Sequence, residues 1–136
     1  MFEYLEKRKV TLVYLPLILY WILLLIFTSL PAKDLPSIGV YDKFEHLGAF
    51  FGLSVLLSLG FLYQNKYPLL KKYFWLSAFL IICFYGFLDE IHQLYVPGRD
   101  CDILDWTSDA IGALAGTILV KYLLKIFKYK SGLAKI

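Results

Sequence analysis

The sequence predicts an all-α fold: a polytopic membrane protein, a four-helix transmembrane bundle with both termini in the cytoplasm. Three observations carry that expectation. The 136 residues are 60 % hydrophobic with a mean hydropathy of +0.64, more apolar surface than a soluble domain of this size can hide. Four apolar runs approach the length of about 20 residues that a helix needs to cross a hydrocarbon core of about 30 Å. Lysines and arginines gather on one side of those runs. Length allows one domain, residues 1–136, with spans near 10–30, 43–63, 73–95 and 103–124.

The first uncharged run, Val10 to Ala32, spans a bilayer without help. Pro16 inside it is tolerated in a membrane helix and is expected to bend it. Pro31 and Pro36 end the helix and shape the following loop. The run is followed by Leu30-Pro31-Ala32-Lys33, not by a small-x-small cleavage site. It therefore reads as a retained span, not a signal peptide.

The second run, Leu47 to Asn65, belongs to a helix starting near Asp42. Asp42 and Glu45 are spaced as a capping box, with Lys43 between them. The third run, Tyr73 to Leu88, reaches membrane length only if its helix continues through Asp89, Glu90 and His92. The fourth, Ile103 to Val120, spans only if Asp105 and Asp109 lie on it, with Asp102 placed as N-cap. The last two helices thus carry acids in their outer turns. Ionisable groups there are costly and mark a functional site by default.

Orientation follows from the basic residues. Lys7, Arg8, Lys9, Lys66, Lys71, Lys72, Lys121, Lys125, Lys128, Lys130 and Lys135 share the predicted cytoplasmic side, against Lys33, Lys43 and Arg99 opposite. Nine of the 11 carboxylates then fall at the outer face, in two stretches, Asp34 to Glu45 and Asp89 to Asp109. The scattered basic residues form no stripe and no nucleic-acid motif. The basic tail reads as a solvated anchor that also suits anionic headgroups.

Gly48 and Gly52, and Gly112 and Gly116 with Ser108 a turn before them, are spaced for close helix approach, within the chain or between copies. Tyr14, Tyr20, Trp21, Trp75 and Trp106 include candidate interfacial anchors, and Trp106 could instead stack on a sugar. Cys83, mid-run, and Cys101, in a polar loop, are poorly placed to pair.

Spacing sorts the polar residues. Asp89 shares a helical face with His92 and Gln93, and Glu90 points about 100° away. Asp105 and Asp109 stack on one face, and His46 stacks a turn after Asp42. Meeting of the second, third and fourth helices would gather His46, Glu90 or Asp89, Gln93, Asp105 and Asp109. The Pro97-Gly98 turn could fold Arg99 over them. Capping, interfacial solvation and charge balance account for these residues singly, but not for the whole group.

Crowded carboxylates and histidines suit general acid–base chemistry. They also suit a divalent metal, although no HExxH or other strong metal spacing occurs. Arg99 is a candidate for an anionic group such as a phosphate. There is no GxSxG, nucleotide loop or nucleophilic triad.

The stretches Asp42-Lys43-x-x-His46 and Asp89-Glu90-x-His92-Gln93-x-x-x-Pro97-Gly98-Arg99, followed by Asp105 and Gly112-x-x-x-Gly116, resemble the two motifs of the VanZ-like family of small membrane proteins. The resemblance covers roughly residues 10–125. It implies a multi-span helical protein of a bacterial plasma membrane, working near lipid-linked cell-envelope material. The family's named member is linked to low-level resistance to the glycopeptide teicoplanin. The family often carries asparagine where this chain has Asp109, and an ionised carboxylate cannot donate as an amide does.

Two functions stay open. One is a membrane-embedded enzyme acting at the outer face on a lipid-linked phosphate or sugar, by hydrolysis or group transfer. His46, Glu90, Asp89 and Asp105 are then the catalytic candidates. Asp42, Lys43, His92, Gln93, Arg99 and Asp109 are the substrate-binding ones. The other is a non-catalytic protein that binds cell-wall precursor lipid or the antibiotic and lowers susceptibility. A small transporter is disfavoured, because no ionisable residue lies deep in the first two spans.

Overall fold

The structure is a computed structural model describing residues 2–34 and 42–130. Pro36 and Lys135, and the side chains of Asp34, Lys128 and Lys130, lie outside the described residues. The chain is 85 % helical, with no strand among the described residues. Four helical stretches, Val10–Ser29, Asp42–Tyr63, Phe74–Gln93 and Ile103–Phe127, are long and apolar enough to cross a membrane. The chain is a multi-pass membrane protein.

A short helix α1 (Phe2–Lys7) precedes the first span, which opens with a π-helical turn, Val10–Tyr14, and continues as α2 (Leu15–Ser29). Pro16 explains the turn. It has no N–H for the carbonyl four residues back. The turn before it widens, and Leu15 N–H reaches Val10 O, five residues back. The span continues past the proline. Its end is set at Leu30, which turns extended (ψ 139°) as a residue before Pro31 must.

The other elements are α3 (Asp42–Tyr63), the short α4 (Pro68–Lys72), α5 (Phe74–Gln93) and α6 (Ile103–Lys130). Helices α3, α5 and α6 pack against one another, most extensively α3 on α6. Glycine makes that contact close. A Cβ on Gly112 would run into Leu47 O, and one on Gly116 would lie 2.6 Å from Phe51 O. The matching row on α3 behaves differently: Gly48 faces open space, and Gly52 lies under the Tyr20 hydroxyl, 2.6 Å from where a Cβ would sit. That hydroxyl donates to Ala49 O at 2.9 Å and pins α2 to α3.

Leu24, Phe50, Leu53, Leu57, Ala78, Ile82 and Ala113 form the core. The first span stands at its edge. Only 11 % of it is buried, against 44 % of the second. Ile18, Leu19, Ile22 and Ile26 point outward, the distribution expected of a helix facing lipid. Trp21 packs edge-on to Tyr85 of α5, ring centres 5.2 Å apart. Trp75 lies under the Lys121 ammonium at 3.8 Å. Cys83 and Cys101 are free thiols.

Candidate functional site

The first turns of α3 and α6 and the last turns of α5 lie side by side, so the acids carried at those ends converge. Six polar residues are buried there: His46, Asp89, Glu90, Gln93, Asp105 and Asp109. Four of them, Asp105 and then His46, Glu90 and Asp109, belong to two neighbouring groups, and Asp89 and Gln93 stand apart.

In the outer group, Lys43 reaches across from α3 to α6. Its ammonium donates to Asp102 Oδ2 at 2.6 Å and also to Asp105. Asp42 stands 4.0 Å from the same nitrogen. Asp102 caps α6, its Oδ1 accepting the Leu104 N–H at 2.8 Å. Asp105 does not complete a capping box, because it is turned inward to Lys43. The bond from Lys43, then that from Leu104, holds the Asp102 carboxyl below the usual carboxylate range. The cap at Asp42 is not described, since the residue before it lies outside the described ones.

The inner group is drier. His46 Nδ1 sits 3.0 Å from Asp109 Oδ1. An ionised carboxylate only accepts, so against it Nδ1 carries the hydrogen and Nε2 is the basic ring atom. Glu90 completes the group: ligand atoms of His46, Glu90 and Asp109 all lie within 4.8 Å of one another. Glu90 Oε2 accepts the Asp102 N–H at 3.0 Å, which ties the inner group to the outer. Glu90 Oε1 and Asp109 Oδ2 are buried without a hydrogen-bond partner among the described residues. Phe50 stacks on the His46 ring and Trp106 Nε1–H donates to Cys83 O at 3.0 Å, fixing α6 against α5.

The rotation of α5 separates Asp89 from Glu90. Asp89 turns away with Gln93, whose Nε2 lies 3.4 Å from Asp89 Oδ2. Gln93 lines a cleft of about 280 Å³ between α2, α3 and α5. Leu24, Phe27, Ala49 and Phe50 make its apolar wall, and Asp42, Glu45, His46 and Arg99 its polar one. Arg99 arrives by the Pro97-Gly98 turn, with Gly98 at φ +76°, a conformation that glycine adopts freely. Its Nη2 donates to Phe27 O at 3.3 Å, while Nε is buried and unpartnered among the described residues. His92 does not join either group; it is exposed, with Nε2 3.1 Å from Ser29 Oγ.

Gly86 was not singled out by sequence. A Cβ there would sit 3.1 Å from Asp109 Oδ2 and 3.1 Å from Phe50. The available signal was its place four residues before Glu90, on the same face of α5.

A family model described as VanZ/LLP1 matches residues 11–127. The chain belongs to the VanZ/LLP1 family. No curated protein and no solved structure matches it. In this VanZ/LLP1 protein the matched stretch takes in the whole of α2 through α5, most of α6, and every residue of both polar groups.

Proposed function

We propose that the protein is a membrane-embedded enzyme that accepts an amphiphilic lipid with an anionic phosphate- or sugar-bearing headgroup, at the outer face of a bacterial plasma membrane. The headgroup enters the cleft beside His46, and the acyl or prenyl chain lies along α2. The carrying observation is the meeting of buried His46, Glu90 and Asp109 beside a cleft that has apolar walls and an arginine. Asp109 orients the imidazole, as a carboxylate orients a catalytic histidine in hydrolases. That leaves Nε2 to take a proton from water or a sugar hydroxyl, with Glu90 as its acid–base partner. Arg99 holds the anion through its free donor, and Gln93, which lines the cleft, orients the polar part. Asp89 and Asp42 border this path. Acid–base hydrolysis or transfer at the headgroup is the reaction this arrangement suits.

A second reading is favoured by one feature. The unpartnered Arg99 Nε at the cleft needs only an anion, not a reaction. The protein would then bind precursor lipid, or a glycopeptide, and change antibiotic susceptibility without turnover.

Protein in nanodiscs, given polyprenyl-linked phosphosugars, separates the two. Release of phosphate or sugar, lost in Glu90→Gln with lipid binding retained, supports the enzyme. Binding without any product at any pH, with or without added divalent metal, supports the binder, and absence of both overturns the proposal. Sidedness has a built-in probe in exposed Cys101. A membrane-impermeant maleimide should label it in intact cells; labelling only after permeabilisation would put the cleft on the other side.

A further inference from the structure

His46 belongs to two sets of side chains with metal-ligating atoms. Asp42, His46 and Asp105 form one, and His46, Glu90 and Asp109 the other. The outer set is already neutralised, because Asp105 pairs with the Lys43 ammonium, and Asp42 is exposed. The inner set is different. Glu90 and Asp109 are 3 % and 0 % exposed, each has one oxygen with no partner among the described residues, and ligand atoms of both lie within 4.8 Å of His46 and of each other. Buried carboxylate oxygens without a donor are costly. A chain that keeps two of them beside an imidazole is short of a cation.

We propose that His46, Glu90 and Asp109 bind one divalent transition-metal ion. The 3.0 Å between His46 Nδ1 and Asp109 Oδ1 suits the site. Two ligands each about 2.1 Å from one ion subtend roughly 90° at that separation. Tetrahedral ligands would stand about 3.4 Å apart, so the spacing points to a five- or six-coordinate ion with positions left for water or a headgroup oxygen. The imidazole favours Zn²⁺ over Ca²⁺ or Mg²⁺, and the two carboxylates also admit Mn²⁺. Two carboxylates and a neutral imidazole around a dication sum to zero charge, which suits a site buried between membrane helices. The ion takes the place of the hydrogen between Nδ1 and Oδ1, so binding releases a proton.

The surroundings are built for this. The Asp102 N–H fixes Glu90 through its other oxygen, leaving Oε1 for the ion. Gly86 provides the space beside Asp109 Oδ2. The cleft reaches the site through His46, which lines both. The inference uses the residues of the proposed reaction centre and does not rest on the reaction: with Nδ1 on the ion the ring hydrogen sits on Nε2, so the histidine base described above belongs to the metal-free centre.

The test is equilibrium dialysis of the detergent-purified full chain against Zn²⁺ and Mn²⁺, with bound metal counted by mass spectrometry. Wild type should retain about one equivalent of at least one ion. Outer partners of metal ligands alone are worth about 10–100-fold in affinity, so Glu90→Gln and Asp109→Asn should each weaken binding by about 100-fold or more. Asp42→Asn, in the outer set, should leave it unchanged. No stoichiometric binding by wild type, or undiminished binding in folded Glu90→Gln, overturns the proposal. So does loss confined to Asp42→Asn. If Asp109→Asn fails to fold, Glu90→Gln decides, because glutamine keeps an acceptor for the Asp102 N–H. Metal bound without headgroup binding sinks the functional reading and leaves the site standing; headgroup binding without metal does the reverse.

Discussion

The two acidic groups at the end of this bundle share neighbours and differ in how their charge is met. In the outer group Lys43 serves Asp102 and Asp105 together, and the geometry closes on itself. In the inner group His46 serves Asp109, and one oxygen each of Glu90 and Asp109 is left over among the described residues. The outer arrangement ties α3 to α6 and needs nothing further. The inner one carries a cost that packing does not explain, and such local costs collect where a ligand is bound. Proximity to the cleft alone would not have separated them; satisfaction of the polar atoms does.

The largest effect expected from this difference is on turnover. Glu90→Gln should lower headgroup release by about 10²–10⁴-fold, the usual worth of a positioned acid or base. Its stability should stay within about 1 kcal/mol of wild type, since one acceptor bond is kept and no satisfied charge is lost. Product assays and denaturant unfolding on the same preparation check both halves. A Glu90→Gln chain that unfolds readily would place Glu90 with the structural group.

Lys43→Met should do the opposite. It strands Asp105, which is buried, and is expected to cost about 2–3 kcal/mol, below the full value for a wholly buried pair because the ammonium is partly exposed. Adding Asp105→Asn should recover most of the loss. Unfolding in graded denaturant reads both, and a Lys43→Met chain as stable as wild type would remove the structural half of the comparison.

Much of this could be seen in the linear chain. The short third and fourth apolar runs forced Asp89, Glu90, Asp105 and Asp109 onto helices, and the structure places them there. Asp102 as a cap was visible from local spacing. Long-range pairing was not. Lys43 meets partners 59 and 62 residues away, and no local pattern encodes that choice over binding a substrate. Helical spacing separated Asp89 from Glu90 but could not say which faced α6, because that depends on how α5 is rotated. The same limit applies to the glycines: two identical spacings, on α3 and α6, and only Gly112 and Gly116 meet a neighbouring backbone.

That asymmetry gives a smaller effect. Gly112→Ala should cost about 1–3 kcal/mol by overpacking against Leu47 O, pushing α6 from α3 and loosening both acidic groups together. Gly48→Ala meets nothing within 4 Å and should stabilise α3 by up to about 1 kcal/mol. Melting temperatures of the two variants should move in opposite directions. A matched loss would mean that α3 also presents its glycines to a second chain.

The smallest effect separates charge from capping within the outer group. Asp102→Asn keeps an oxygen for the Leu104 N–H but gives up the ion pair with Lys43. The Asp102 pKa is lowered in the folded chain, chiefly by Lys43. Its ion-pair contribution is therefore present above the ordinary carboxylate pKa of about 3.9, and fades as pH falls through the lowered folded value. Wild type should melt slightly above Asp102→Asn at pH 7, and the gap should close on acidification below about pH 4. A gap that persists in acid would show that the variant had lost the cap, and that Lys43 draws its hold on α6 from Asp105 alone.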